Sequence, residues 1–424
     1  MASIDCLNLI PSVVKKYSNG SIRAVVDEIF DHSPSATKEI DSMEFMRTVT
    51  LDQQLDKQKV KDIISKFLRQ EWPSVRPEEL LITKVDPLVR GFSNQVYIVD
   101  RNAGDKEPSK VVVKFYTDQG KNPIRMTWAE QDLFHLVSGS TGLGPKLIGT
   151  FPGGRVDEFI PSHSSQPKEH EDPLMTAEIA RAYARFHSLD LPLDKTRQQV
   201  IDGNMVKFFE ETRLDPDRKW INIITGAGID AVPHLTYGYD QEIRWLYKEL
   251  TRVGSKKVWC HVDAHHFNIL IREDGNRERV ALIDYQYASY QYRAFDLGCI
   301  CVAMMVQDNN AVDRRYPGGK LLSPESTRRL CSTYLSEIRK LNSISITDDK
   351  DTEDQLVQEA CLGSMLNLIW LTYICDANAD KLIQHDRSFS LMSVWMHQVF
   401  LDIKQQYFSR YKVPKYEYSL NSVC

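Results

Sequence analysis

The spacing of apolar positions changes character along this chain. In "KVKDIISKFLRQEW" (59–72), Val60, Ile63, Ile64, Phe67 and Leu68 recur at helical intervals, predicting a helix that "RPEE" breaks. Three β-rich runs follow, "LLITKVDPLV", "QVYIVD" and "KVVVKFY", separated by "RGFSN" and by the polar turn "RNAGDKEPS". They predict an antiparallel sheet joined by hairpins. "IRMTWAEQDLFHLVSG" predicts a helix with Thr127 and Glu130 at capping-box spacing. "GPKLIGTFPGGRVDEFI" (144–160) predicts two more strands around a Pro-Gly-Gly turn.

From Pro161 the pattern shifts. "PSHSSQPKEHEDP" reads as a polar connector, and helices dominate after it. "PLMTAEIARAYARFHSLD" sets Ile179, Ala182, Tyr183 and Phe186 on one face. "DQEIRWLYKELTRV" and "SPESTRRLCSTYLSEIRKL" behave alike, the latter with Ser323 as cap and Pro324 in the first turn. One β interruption stands out: "FNILIRE" and "VALIDYQ", joined through "DGNRER", a hairpin announced by Asp-Gly. The outline is α+β in three parts: an extension over 1–55, a small β-rich lobe over 56–160 and a large α-rich lobe over 161–424.

Composition narrows the class. The chain has 424 residues, 42% hydrophobic and 26% charged, as an ordinary globular protein does. A net charge of -5 leaves no basic excess for nucleic acid, although a local site for one phosphorylated ligand is compatible with it. "LGCICVAMMV" (297–306) is far shorter than the ~18 residues of a membrane span, so no transmembrane helix is expected. The N-terminus is a poor secretory signal. Eight scattered cysteines without C-x-x-C suit reduced thiols in the cytoplasm better than disulfides or zinc.

The chemistry concentrates in "VWCHVDAHHFNILI" (258–271). His261, His265 and His266 include an i, i+4 pair, the spacing of two imidazoles on one helical face. Asn268 and the flanking β-type runs argue against a helix, however, and no H-E-x-x-H is present, so zinc is disfavoured. The alternative is H-x-D-x-x-x-x-N, formed by His261, Asp263 and Asn268, with Asp284 at a strand end sixteen positions on. Phosphoryl transfer uses such a set: a carboxylate beside the acceptor hydroxyl, and an Asn and a second Asp to hold magnesium against ATP. A polar hairpin without activity is the bland alternative.

"CHVDAHHFNIL…LIDYQYASYQYRAFDLG" resembles the catalytic segment of the choline/ethanolamine kinase family, relatives of the aminoglycoside phosphotransferases with a two-lobed protein-kinase-like fold. The resemblance implies that Asp263 orients and deprotonates the hydroxyl, and that Asn268 and Asp284 are magnesium ligands. His261 is then a support of the loop, and Asp296 a helix residue bracing it through hydrogen bonds. In the small lobe "RGFSNQVY" is similar to the family's phosphate-covering loop, with Gly91, Phe92, Ser93 and Asn94, although Arg90 replaces a glycine. Lys114 would meet the α and β phosphates, with Glu130 as its ion-pair partner. Backbone groups of Glu158 to Ile160 would meet the adenine edge.

The implied substrate is choline or ethanolamine, and the implied reaction is the first step of phosphatidylcholine and phosphatidylethanolamine synthesis. A quaternary ammonium calls for aromatic faces and a nearby carboxylate. Candidates are Tyr287, Tyr290, Tyr292, Trp370, Tyr373 and Trp395, of which Tyr287 and Trp370 match the family's pocket. Tyr373 and Trp395 read better as core. Departures are clear: Gln286 stands for a glutamate near the second metal position, Ala303 for a pocket glutamate, Met304 and Asn367 for tryptophans. Gln286 could still coordinate magnesium, more weakly than a carboxylate. Three readings therefore stay open: a divergent choline or ethanolamine kinase, a kinase for another small alcohol, and a non-catalytic nucleotide-binding protein. The family also implies a homodimer.

Overall fold

Asp56 starts the first helix of the described residues: its carboxylate accepts from the backbone N–H of Gln58 at 2.9 Å and of Lys59 at 3.3 Å. The computed structural model describes residues 56–85, 94–102, 104–116, 123–212, 221, 232–275, 278–303, 321–345, 350–382 and 388–412. The extension expected over 1–55 lies outside them. In chain order the first elements are α1 (Lys57–Ser65), β1 (Leu81–Lys84), β2 (Asn94–Asp100), β3 (Lys110–Tyr116) and α2 (Trp128–Ser140). Next come β4 (Leu147–Phe151), β5 (Gly154–Glu158), β6 (Ser162–Ser164), α3 (Pro173–His187), α4 (Arg197–Lys207) and α5 (Tyr239–Arg252). The strands β7 (Lys257–Cys260), β8 (Ile269–Arg272), β9 (Val280–Leu282) and β10 (Ser289–Tyr292) follow. Last are α6 (Ala294–Val302), α7 (Pro324–Asn342), α8 (Glu353–Leu382) and α9 (Ser388–Tyr411).

These elements form two compact units. The first holds the described residues up to Ser165, with Leu189–Asp194 and His266–Ala288; the second holds Gln166–Ser188, Lys195–His265 and the described residues from Ser289 onward. The hairpin β8–β9, expected in the second lobe by chain order, thus belongs to the first unit. Two backbone attachments explain it. β6 pairs antiparallel with β8, and Leu282 N–H donates to the Leu143 carbonyl at 2.7 Å.

In the first unit the antiparallel sheet runs in the order β1-β2-β3-β5-β4. Alternation along the strands divides its faces. Tyr97, Val99, Val111, Val113, Phe115 and Val156 face one way and build the core with Val60, Ile63, Ile64 and Trp72. The other face carries Val96 and Arg155 opposite Lys114, and Ile98 and Asp157 opposite Val112. The helix predicted over 59–72 is shorter than its apolar pattern. It ends at Ser65, and Phe67 then packs over Gly149, where any Cβ would overlap the ring. The connector over 161–173 is also more ordered than its polar composition suggests, since β6 and the single turn Pro167–Glu171 form within it.

The second unit is built around α8, which packs against α5, α6, α7 and α9. By length and composition alone this helix could cross a membrane, but 78% of its apolar window is buried inside the protein. A buried ion-pair network adds specificity: Arg293 donates to both oxygens of Glu359 at 2.8 and 2.7 Å, and to Asp351 at 2.5 Å. A second antiparallel pair, β7 with β10, was not expected from the sequence. Where α6 crosses α8, Gly298 and Gly363 bring the backbones together. A Cβ on Gly363 would overlap the Ala294 carbonyl. We expect Gly363→Ala to lower unfolding stability by about 1–3 kcal/mol through overpacking. Urea denaturation checks this; an unchanged midpoint and slope would contradict so close a crossing.

Candidate active site

The polar face of the five-stranded sheet faces a cavity in the first unit. Val85, Val96, Ile98 and Val112 line it from the sheet, and Leu270 and Ile283 from the hairpin. Lys114, Asn268 and Asp284 line the same cavity, as do Glu158, Phe159 and Ile160. Lys114 lies opposite Arg155, and Val111 opposite Glu158. Three residues of strand separate these rungs, or roughly 10 Å. The cavity is therefore an apolar slot with a charged group at some distance from a backbone link, the layout of a site for a flat ring joined to an anion.

Lys114 Nζ donates to Asp284 Oδ1 at 3.0 Å. Burial pushes the Lys114 ammonium below its usual range, and the neighbouring Arg155 guanidinium adds to the effect; Asp284 and Asp157 oppose it. Asp284 itself has φ +67, left-handed for a non-glycine residue. Asn268 is buried in the short turn His266–Asn268 ahead of β8, and its carbonyl accepts from Ile283 N–H at 3.1 Å. An amide oxygen and a carboxylate oxygen are hard donors of the kind magnesium takes, so this pair fits the ion. Gln286 is buried two positions on, with its backbone carbonyl bound to Met126 N–H at 2.8 Å.

Glu130 does not pair with Lys114. Its carboxylate accepts from the backbone N–H and hydroxyl of Thr127 at 2.7 and 2.8 Å, closing the capping box of α2. The capping geometry that the sequence announces is what keeps this side chain from reaching the sheet. Asp132 takes the inward position instead, 3.5 Å from Arg155 and bonded to the Tyr116 hydroxyl. Gly91, Phe92 and Ser93 lie outside the described residues. Asn94 opens β2 opposite Tyr116.

Asp263 belongs to the second unit, three residues beyond β7. His265 Nε2 lies 3.6 Å from its carboxylate. The loop before it is pinned by Asp296 on α6, whose carboxylate accepts from the backbone N–H of His261 at 2.6 Å and of Val262 at 2.9 Å. Val262 has φ +71, a strained conformation for a β-branched residue, and these two bonds oppose its relaxation. His187 Nε2 lies 3.0 Å from Asp296, and its Nδ1 lies 2.9 Å from the Tyr334 hydroxyl. The sequence reading missed His187, and its place on the buried face of α3 was the available signal.

Among the described residues, a group with metal-ligand spacing is His187, Cys260 and Asp296, not the three histidines of 261–266. Both nitrogens of His187 are engaged, and burial keeps the Cys260 thiol protonated by pushing it well above its usual range. The group is a hydrogen-bonded brace.

The aromatic candidates separate by surroundings. Tyr287 is in the first unit, with the Arg125 guanidinium 5.6 Å from its ring centroid and Nε 3.3 Å from its hydroxyl. Trp370 is in the second unit, on α8, and packs 5.7 Å from Tyr373. Lys195 already lies 4.6 Å over Tyr290, and Lys257 5.1 Å over Tyr292. Tyr373 also packs against Phe208 and Phe209, and Trp395 is buried, so both are core positions. Ala303 and Asn367 are buried in the second unit; Met304 lies outside the described residues.

A family model described as choline/ethanolamine kinase matches residues 85–412. A "Choline/ethanolamine kinase" of Homo sapiens is 28% identical over 309 residues, covering 69% of this chain and 72% of the relative. A "Probable ethanolamine kinase" of Arabidopsis thaliana is 27% identical over 220 residues, covering 50% and 54%. Among solved structures, a choline kinase of Cryptosporidium parvum superposes with TM-score 0.59 at 16% identity, covering 85% of this chain and 98% of that one. An ethanolamine kinase of Plasmodium vivax gives TM-score 0.59 at 14% identity, covering 88% and 98%. These likenesses show the α+β, protein-kinase-like fold.

The state of Lys114 yields a pH test. An ammonium whose proton is lost below the ordinary lysine range of 10.5 grips an anion only below that lowered value. We expect ADP affinity to fall as pH rises toward, but before reaching, 10.5, and Lys114→Met to remove this limb while lowering affinity at neutral pH. Calorimetric titrations across pH check it. The same alkaline limb in Lys114→Met would assign it to another group.

Proposed function

The chain belongs to the choline/ethanolamine kinase family, and from that premise we propose that it transfers the γ-phosphoryl group of ATP to the hydroxyl of choline or ethanolamine. This is the first step in making phosphatidylcholine and phosphatidylethanolamine. The observation that carries the reading is the slot itself: Lys114, Asn268 and Asp284 line one cavity with Glu158 and Ile160. Lys114 holds the α and β phosphates, and the backbone from Glu158 to Ile160 meets the adenine edge. Gly91, Phe92, Ser93 and Asn94 cover the phosphates.

Asp263 orients the acceptor hydroxyl and takes its proton as the oxygen bonds to the γ-phosphorus and the bond to ADP breaks. Asn268 and Asp284 hold magnesium, with Gln286 as a weaker oxygen donor. When bound, the ion neutralises charge on the phosphates. Tyr287 and Trp370 receive the ammonium. The six described cysteines are all free thiols, five of them buried, which supports the cytoplasmic reading. Homodimerisation rests on family resemblance and is read from mass in solution.

A second reading, another small alcohol, draws on two observations. The Tyr287 ring already faces the Arg125 guanidinium. Asn367, where the family has tryptophan, is a buried amide beside the weakly bonding Cys299 thiol. Radiolabelled phosphate transfer to choline, ethanolamine, their methylated intermediates and other small alcohols separates the readings. We expect transfer to choline or ethanolamine. Nucleotide binding without transfer across the panel would establish the non-catalytic alternative. Asp263→Ala should lower turnover by at least about a hundredfold while leaving ADP affinity within about twofold; equal activity would refute the assigned role.

A further inference from the structure

Arg125 stands two positions ahead of Thr127, the cap of α2, and is half-buried. Its guanidinium carbon lies 5.6 Å from the centroid of the Tyr287 ring, and its Nε donates to the Tyr287 hydroxyl at 3.3 Å. The backbone builds this contact in. Ile124 and Met126 on either side of Arg125 are buried, and Met126 N–H donates to the carbonyl of Gln286, next to Tyr287, at 2.8 Å. With Arg125 in place Tyr287 is only 8% exposed. The ring face that a dissolved cation would seek is already held by a cation of the chain itself.

That occupancy weighs unequally on the two alcohols. A quaternary ammonium has no N–H, so its recognition depends on aromatic faces. A primary ammonium keeps three donors and is held by oxygen acceptors without a ring face. Displacing Arg125 costs its bond to the Tyr287 hydroxyl and its contact with the ring. A displaced guanidinium, anchored by the same backbone, still repels a second cation at this distance.

We propose that Arg125 is a specificity-determining residue of the acceptor site. By occupying the Tyr287 face it favours a primary ammonium, that of ethanolamine, over the trimethylammonium of choline. The inference rests on the reading that Tyr287 receives the ammonium of the acceptor.

Steady-state phosphate transfer by the full chain to ethanolamine and to choline tests it. We expect the wild type to use ethanolamine with a kcat/KM at least about tenfold that for choline. Arg125→Met should shrink this ratio about tenfold, chiefly through a lower KM for choline. A wild type that prefers choline, or an unchanged ratio in a folded Arg125→Met protein, would overturn the inference and leave the kinase reading standing. Arg125→Gln serves the same test where the methionine variant does not fold. On the wild type alone, kcat/KM should fall with each methyl group added from ethanolamine to choline, and a flat or rising series would overturn the assignment. The premise is tested apart, in a Tyr287→Leu background, where Arg125→Met should no longer change the ratio. The full effect persisting without the ring would remove Tyr287 from the argument and overturn the inference alone. Absence of transfer to either alcohol would sink the choline/ethanolamine reading and this inference together.

Discussion

A single ion pair organises the first unit. Lys114 and Asp284, 170 residues apart in sequence, meet at 3.0 Å across the slot between sheet and hairpin. A lysine so placed cannot be left without an anion, because burial favours its neutral form. Asp284 supplies that anion here. A nucleotide's phosphates would supply another, which supports the proposal that the pair sits in the nucleotide site. Everything else in the unit serves to bring these two residues together: the alternation of β3, the attachment of β8 to β6, and the bond from Leu282 to the Leu143 carbonyl.

The second unit solves a different problem, holding a loop in an unfavourable backbone conformation. Asp296 accepts from two consecutive amides, and His187 and Tyr334 extend the network into α3 and α7. The Arg293 network anchors the start of α6, and the Gly298–Gly363 crossing seats that helix on α8. Rigid support of this kind suits the role proposed for Asp263, since small displacements of catalytic groups cost large factors in rate.

Much of this was legible in the residues. The three β-rich runs, the Pro-Gly-Gly turn, the Asp-Gly hairpin and the Thr127–Glu130 capping box all appear where their patterns point. What the patterns could not show was which partner a side chain meets. The same capping signal that located α2 also removed Glu130 from the slot, and Asp132 took the inward place through contacts that no local spacing records. Similarly, "KVVVKFY" and "GRVDEFI" read as apolar runs, while the register shows their charged residues sharing the cavity face. Alternation could have revealed Arg155 and Asp157 as same-face charges. β6 and β10 were hidden for a related reason. Backbone pairing with a distant strand holds them, and side-chain hydropathy does not report it.

We propose that Asn268 and Asp284 hold a divalent ion together with the nucleotide. Manganese, as a paramagnetic stand-in for magnesium, tests it directly by electron paramagnetic resonance. ADP should make the wild type take up manganese from solution, and Asp284→Asn should weaken this uptake at least about tenfold. Manganese binding indifferent to both ADP and position 284 would contradict it.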